Sequence, residues 1–228
     1  MTTTFNDLIE QISSNPLFLK LKGIVENAQG WHDHESVFDH SIKTANIAKQ
    51  ECEGKFFTNE VARKSFLNWM DEDFFGIKRK NIAILTALLH DCGKLLQYKE
   101  GEEITPLIMT KPQTTDQTLC PGHEYWGGLV VKEIFKDINL NTNVKEHIAT
   151  LVKLHDTFNN YFPGKENWNL HQLIQDAKSR AEGYYKETMF NSYCDCYNAS
   201  AFSYSKSKIE EVFNEPDFYI SRTYFIPK

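Results

Sequence analysis

The stretch Ile84-Leu85-Thr86-Ala87-Leu88-Leu89-His90-Asp91-Cys92-Gly93-Lys94 decides how this chain is read. Its first six residues have the composition of a helix buried on all sides, and they run straight into an imidazole and a carboxylate. Burying these two groups side by side costs several kcal/mol unless something pairs with them. A divalent cation suits both at once. On the helix predicted from Ile77 to Tyr98, Lys94 follows His90 by four residues and Asp91 by three, which brings its ammonium to their face. A cation beside a metal points to an anionic substrate. A His-Asp pair can also satisfy itself by hydrogen bonds, so the rest of the chain has to decide.

Working outward, His40 lies in Val37-Phe38-Asp39-His40-Ser41-Ile42 and His123 in Pro121-Gly122-His123-Glu124. His155 lies in Leu151-Val152-Lys153-Leu154-His155-Asp156, and Asp195 in Tyr193-Cys194-Asp195-Cys196. This ordered set resembles the HD-domain superfamily of metal-dependent phosphohydrolases. Within it, the Gly-His-Glu segment, the Leu-His-Asp helix and the late Asp most resemble the HD domains found beside tRNA nucleotidyltransferase (CCA-adding) modules. The resemblance covers roughly Trp31 to Ala201, and the ordered set is far more specific than any one member.

The resemblance implies an HD-type helical bundle over residues 1–228, with its motif core at about 31–201 and a C-terminal extension at 202–228. It implies one divalent ion held by His40, His90, Asp91 and Asp195, and a second held by His123 and His155, with Asp91 shared between them. In the alternative with a single ion, His123 and His155 bind substrate phosphate or act as general acid. The ion would be Mn, Fe, Co, Ni or Mg. Asp176 competes with Asp195 for the last ligand position, and the Cys-Asp-Cys-Tyr-Asn-Ala context with its long spacing from His155 favours Asp195. His32, eight residues before His40, resembles an entry-segment residue that contacts substrate. The Pro-Glu-Gly that often follows this His in the family is here Asp33-His34-Glu35. Asp91 and Lys94 would serve catalysis, with Lys94 touching a substrate phosphoryl oxygen. Phosphate-ester hydrolysis needs a water deprotonated near neutral pH and positive charge against the phosphoryl oxygens, and divalent metals supply both. The implied activity is hydrolysis of nucleotide phosphoesters, as a 2′,3′-cyclic phosphodiesterase or a nucleotidase. The alternatives are a nucleotide-sensing module without turnover and an HD-type nuclease.

Composition sets limits. The 228 residues are 41% hydrophobic and 13% aromatic, enough for one sizeable core. A net charge of −6 and a pI near 5.8 argue against an extended nucleic-acid groove, leaving a small nucleotide or a nucleic-acid terminus as the expected substrate. The start Met1-Thr2-Thr3-Thr4-Phe5 lacks the basic and apolar regions of a signal peptide, no apolar stretch is long enough to span a membrane, and five cysteines without zinc-finger spacing read as reduced thiols. The expected location is cytoplasmic, with no membrane partner. The oligomeric state is open.

Hydrophobic spacing is helical almost throughout, so the predicted fold class is all-α. Predicted helices run from about Phe5 to Ser13, Pro16 to Ala28, Ser36 to Cys52, Asn59 to Asp71, Ile77 to Tyr98, Gly122 to Ile138, Asn143 to Phe158, Asn169 to Asn198 with a break near Gly183, and Ser205 to Phe213. The connection from Lys99 to Pro121 exceeds the about 12 to 15 residues usual for structureless loops, which makes it a candidate lid or a short hairpin.

Overall fold

The computed structural model describes residues 4–25, 35–95 and 122–219. His32 and the connection from Lys99 to Pro121 lie outside the described residues. The described chain is helical apart from one small hairpin, in agreement with the all-α expectation.

Most helix starts follow from a capping side chain. Helix α1 (Phe5–Ser13) opens with a reciprocal box between Thr4 and Asp7, and the short α2 (Pro16–Leu19) has Asn15 as cap and proline at its first position. Ser36 caps α3 (Val37–Glu51) by accepting from the Asp39 amide, and Asn59 caps α4 (Glu60–Met70) through two amides. Each spares a first-turn N–H that would otherwise lack a partner.

Two helices are buried on nearly every side. In α5 (Arg79–Leu89), Arg79 and all residues from Ile82 to Leu89 are buried. In α9 (Tyr185–Cys196), Tyr185 and the run from Glu187 to Cys194 are buried. Each fully buried leucine of α5 contributes about 1.5–3 kcal/mol. Around these two pack α3, α7 (Thr142–Leu154), α8 (Leu170–Ala181) and α10 (Ser203–Phe213). Ile209, Val212, Phe213 and Phe218 belong to the same buried cluster as α5, so the described residues beyond 201 share the main core.

The structure corrects three boundaries. The helix predicted from Ile77 begins at Arg79, because Asp73–Phe74 and Ile77–Lys78 pair as an antiparallel hairpin. Its turn residues Phe75 and Gly76 both have positive φ, 51° and 88°, as a tight hairpin turn requires. The same helix ends at Leu89, followed by a turn at His90 and Asp91 and a 3₁₀ turn at Cys92–Leu95. The helix predicted from Pro16 stops at Leu19 and gives way to a 3₁₀ turn at Lys20–Gly23, whereas the break expected near Gly183 is present at Glu182–Tyr184, where Glu182 has φ 44°.

Close backbone contact explains the turn after Asp91. A Cβ on Gly93 would lie 1.8 Å from the His123 carbonyl oxygen and 2.4 Å from the Gly127 nitrogen. Only glycine lets α6 (His123–Ile134) rest on this backbone. A Cβ on Gly127 would in turn meet Val152 Cγ1 at 2.7 Å, so α7 also comes close to α6 here.

Away from these turns, three charged or polar side chains join α5, α7 and α9. Arg79 pairs with Glu187, and His147 Nε2 lies 3.2 Å from the same Glu187 oxygen. Arg79 also reaches Glu72 at 3.1 Å and lies over the rings of Trp69 and Phe74. Stacking and pairing make a buried guanidinium tolerable at this depth. His147 thus takes part in a buried network.

Candidate metal centre

The candidate site is assembled from helix ends. His40 sits in the first turn of α3, His90 and Asp91 follow the last turn of α5, and His123 starts α6. His155 follows α7, and Asp195 lies in the last turn of α9. His90, Asp91 and His155 are buried to 2% exposure or less.

His90 and His155 are oriented by one device used twice. The last carbonyls of a helix lack intrahelical partners. His90 Nδ1 lies 2.8 Å from the Ala87 carbonyl and His155 Nδ1 2.7 Å from that of Val152. A carbonyl only accepts, so each Nδ1 carries a proton and donates it, which in the neutral ring leaves the Nε2 lone pair for the site. His40 is turned the same way by Glu35, whose carboxylate stands 3.2 Å from Nδ1. Hydrogen bonding to His40 keeps the Glu35 carboxyl below the usual carboxylate range, with Lys43 assisting.

The Nε2 atoms converge on Asp91, whose two oxygens face different groups. Asp91 Oδ2 lies 3.3 Å from His90 Nε2 and 3.9 Å from His40 Nε2. Asp195 Oδ1 stands 2.9 Å from His40 and 3.2 Å from His90. On the other side, Asp91 Oδ1 lies 3.1 Å from His123 Nε2 and 3.7 Å from His155 Nε2, and those two nitrogens are 3.1 Å apart. Lys94 Nζ donates to Asp91 Oδ2 at 2.8 Å from the 3₁₀ turn, so it reaches Asp91 although the long helix does not carry it there.

These spacings fit a cation. Donors around one ion at about 2.1 Å stand roughly 3.0–3.5 Å from one another. The fully buried His90 Nε2 has two carboxylate oxygens close by and hydrogen-bonds to neither. An orphaned lone pair facing anionic oxygens is stable only with positive charge between them. Burial opposes the ionisation of His90, His155, Asp91 and Asp195. Even so, Asp91 and Asp195 pull the His90 pKa well up, and Asp156 and Asp91 raise that of His155. Against the same burial, Lys94 and His90 hold Asp91 well below the carboxylate range, and His90 and His40 do so for Asp195.

Asp176 lies elsewhere, paired at 3.0 Å with both Lys165 and Arg180. Burial opposes its ionisation, but Arg180 and Lys165 prevail and lower its pKa to about 2. Asp195→Asn is therefore expected to weaken metal retention by at least about 10-fold, since it takes a negative oxygen from between two imidazoles. Asp176→Asn should leave metal content unchanged and cost about 1 kcal/mol of stability. Elemental analysis of the two variants after identical purification checks this, and the reverse ranking would transfer the ligand role.

Sequence reasoning missed Glu35, Asp156 and Asn159. Asp156 Oδ1 is 3.4 Å from His155 Nε2, and Asp156 Oδ2 is 3.6 Å from His123 Nε2. The buried Asn159 amide nitrogen donates to Asp156 Oδ1 at 2.9 Å and to Asp195 Oδ2 at 3.1 Å. A polar residue one helical turn after His155 was the available signal. Glu124 stands 3.7 Å from His123 Nδ1, beyond hydrogen-bond reach. Cys194 and Cys196 are free and buried, and burial pushes both thiols far above their usual pKa, which keeps them protonated and in a packing role. Among the described residues no helix is long and apolar enough to cross a membrane.

Compared with known proteins, the chain matches a family model described as HD domain over residues 37–183. That span holds His40, His90, Asp91, His123 and His155 and stops short of Asp195. No curated protein matches the chain.

Proposed function

Since the chain belongs to the HD-domain family, whose members are generally metal-dependent hydrolases, we propose that it hydrolyses nucleotide phosphoesters at a two-ion centre, as a 2′,3′-cyclic phosphodiesterase or a nucleotidase. In this reading it resembles the HD domains that accompany CCA-adding modules. The observation that carries the two-ion centre is the division of Asp91, with Oδ2 toward His90 and His40 and Oδ1 toward His123 and His155.

When bound, divalent cations supply an acidic water and positive charge against the phosphoryl oxygens. The chain's own residues do the rest. Ala87 and Val152 carbonyls and the Glu35 carboxylate hold three imidazoles with Nε2 inward, so the ligand set needs little rearrangement. Lys94 brings a fixed positive charge to Asp91 Oδ2, beside the position assigned to a substrate phosphoryl oxygen. Four imidazoles with carboxylates favour transition ions such as Mn, Fe, Co or Ni over Mg.

The test is metal analysis of protein purified without chelator, followed by incubation with cyclic, mono- and triphosphate nucleotides and single-stranded DNA. About two ions per chain and turnover of cyclic or monophosphate nucleotides are expected. Replacing His123 and His155 together by alanine should leave about one ion and strongly reduce phosphodiester cleavage, because the clamp on the leaving oxygen is lost. Saturation of the wild type at one ion would reject the two-ion centre, and the absence of any nucleotide turnover would reject the activity.

A further inference from the structure

The corner of the site around His123 and His155 holds more donors than the motif set supplies. Asp91 Oδ1, His123 Nε2 and His155 Nε2 stand 3.1 to 3.7 Å apart. Asp156 faces both nitrogens with one oxygen each, at 3.4 and 3.6 Å, within the same range. Two imidazoles and one shared carboxylate make three protein donors, and the shell of a Mn, Fe, Co or Ni ion takes a fourth while keeping positions for water. Asp156 supplies the fourth. Its side chain is 42% exposed, so neither burial nor core packing accounts for its turn toward the imidazoles.

Asn159 does account for it. This amide is 6% exposed and gives hydrogen bonds to Asp156 Oδ1 and to Asp195 Oδ2. Its oxygen accepts from the Cys196 thiol at 3.6 Å, which fixes the nitrogen end toward the carboxylates. Held by Oδ2, Asp195 presents Oδ1 to His40 and His90. One buried amide therefore orients a carboxylate on each side of Asp91.

We propose that Asp156 is a fourth protein ligand of the ion held by Asp91, His123 and His155, and that Asn159 is a positioning residue that links this ligand to Asp195 at the other ion. The inference rests on the two-ion reading above. Its energetic content is coupling: an ion that draws in one carboxylate tightens the amide that holds the other.

The experiment titrates the metal-free protein with Co²⁺, followed by calorimetry and by the visible absorption that reports ligand number. Wild type is expected to take two ions. Asp156→Asn should lower the affinity for one of them by about 100-fold and change its absorption while leaving the other ion unaffected. Asn159→Ala should weaken both ions by roughly 10-fold, the scale for loss of a group that orients ligands. Asn159→Gln, which keeps an amide at the wrong length, serves if the alanine variant fails to fold. Two ions of wild-type affinity and unchanged absorption in Asp156→Asn would overturn the ligand assignment and leave the two-ion reading intact. Weakening of one ion alone in the Asn159 variant would overturn the link. A wild type that saturates at a single ion would end both the reading and this inference.

Discussion

Asp91→Ala protein is expected to emerge from chelator-free purification without metal and without activity. Both oxygens of Asp91 lie within 3.1 to 3.9 Å of the four site imidazoles, so alanine removes a donor from each group at once. Loss of a single stabilising donor typically costs 10²–10³ in rate, and here the loss falls on both ions, so a reduction of at least about 10³-fold is expected. The substitution also takes from the buried Lys94 ammonium its Asp91 partner. Asp91→Asn, of the same shape, separates lost charge from lost packing and should behave almost as badly. Metal content by elemental analysis, hydrolysis of a 2′,3′-cyclic nucleotide and circular dichroism check the result. Normal stoichiometry with full activity in Asp91→Ala would remove the residue from the site.

Gly93→Ala is expected to be as damaging although Gly93 itself offers no donor to an ion. Its Cβ would fall 1.8 Å from the His123 carbonyl oxygen, 2.4 Å from the Gly127 nitrogen and 2.8 Å from the Gly127 Cα. All three are backbone atoms, so no side chain can turn away and α6 has to shift as a whole. Its movement is also limited by α7, where Gly127 and Gly128 already sit against Val152 and Lys153. Overpacking of this kind costs about 3 kcal/mol or more. For a chain of this size that is roughly 6–12 °C in Tm. His123 is the first residue of α6 and moves with it, so the ion near His155 should weaken in parallel. Thermal melting with and without Mn²⁺ checks both effects, and an unchanged Tm would show that the contact relaxes freely.

Local features of the chain were legible because they depend on neighbours in sequence. Ser36 and Asn59 mark helix starts by side-chain capping, and the predicted ends of α3 and α4 fall within one residue of those observed. The order of His40, His90-Asp91, His123, His155 and Asp195 was equally readable, since a motif is a property of the string. What the string did not carry were the long-range partners. The turn after Leu89 is imposed by α6 pressing on Gly93, while the local pattern favours continued helix. Asp156 and Asn159 read as ordinary polar residues until α9 brings Asp195 against them. Asp176 and Asp195 are alike as letters, and only packing gives one a pair of cationic partners and the other a pair of imidazoles.

The buried Arg79–Glu187–His147 cluster bears on which ions the protein can accept. It lies about 16 Å along α5 from His90, and about 12 Å from His155 along α7 and from Asp195 along α9. Three rods pinned together at this distance from their tips cannot spread freely at the tips. The gap between His90, His155 and Asp195 is therefore framed before any ion arrives. In a site framed this way, ion radius is expected to weigh in selection beside donor chemistry.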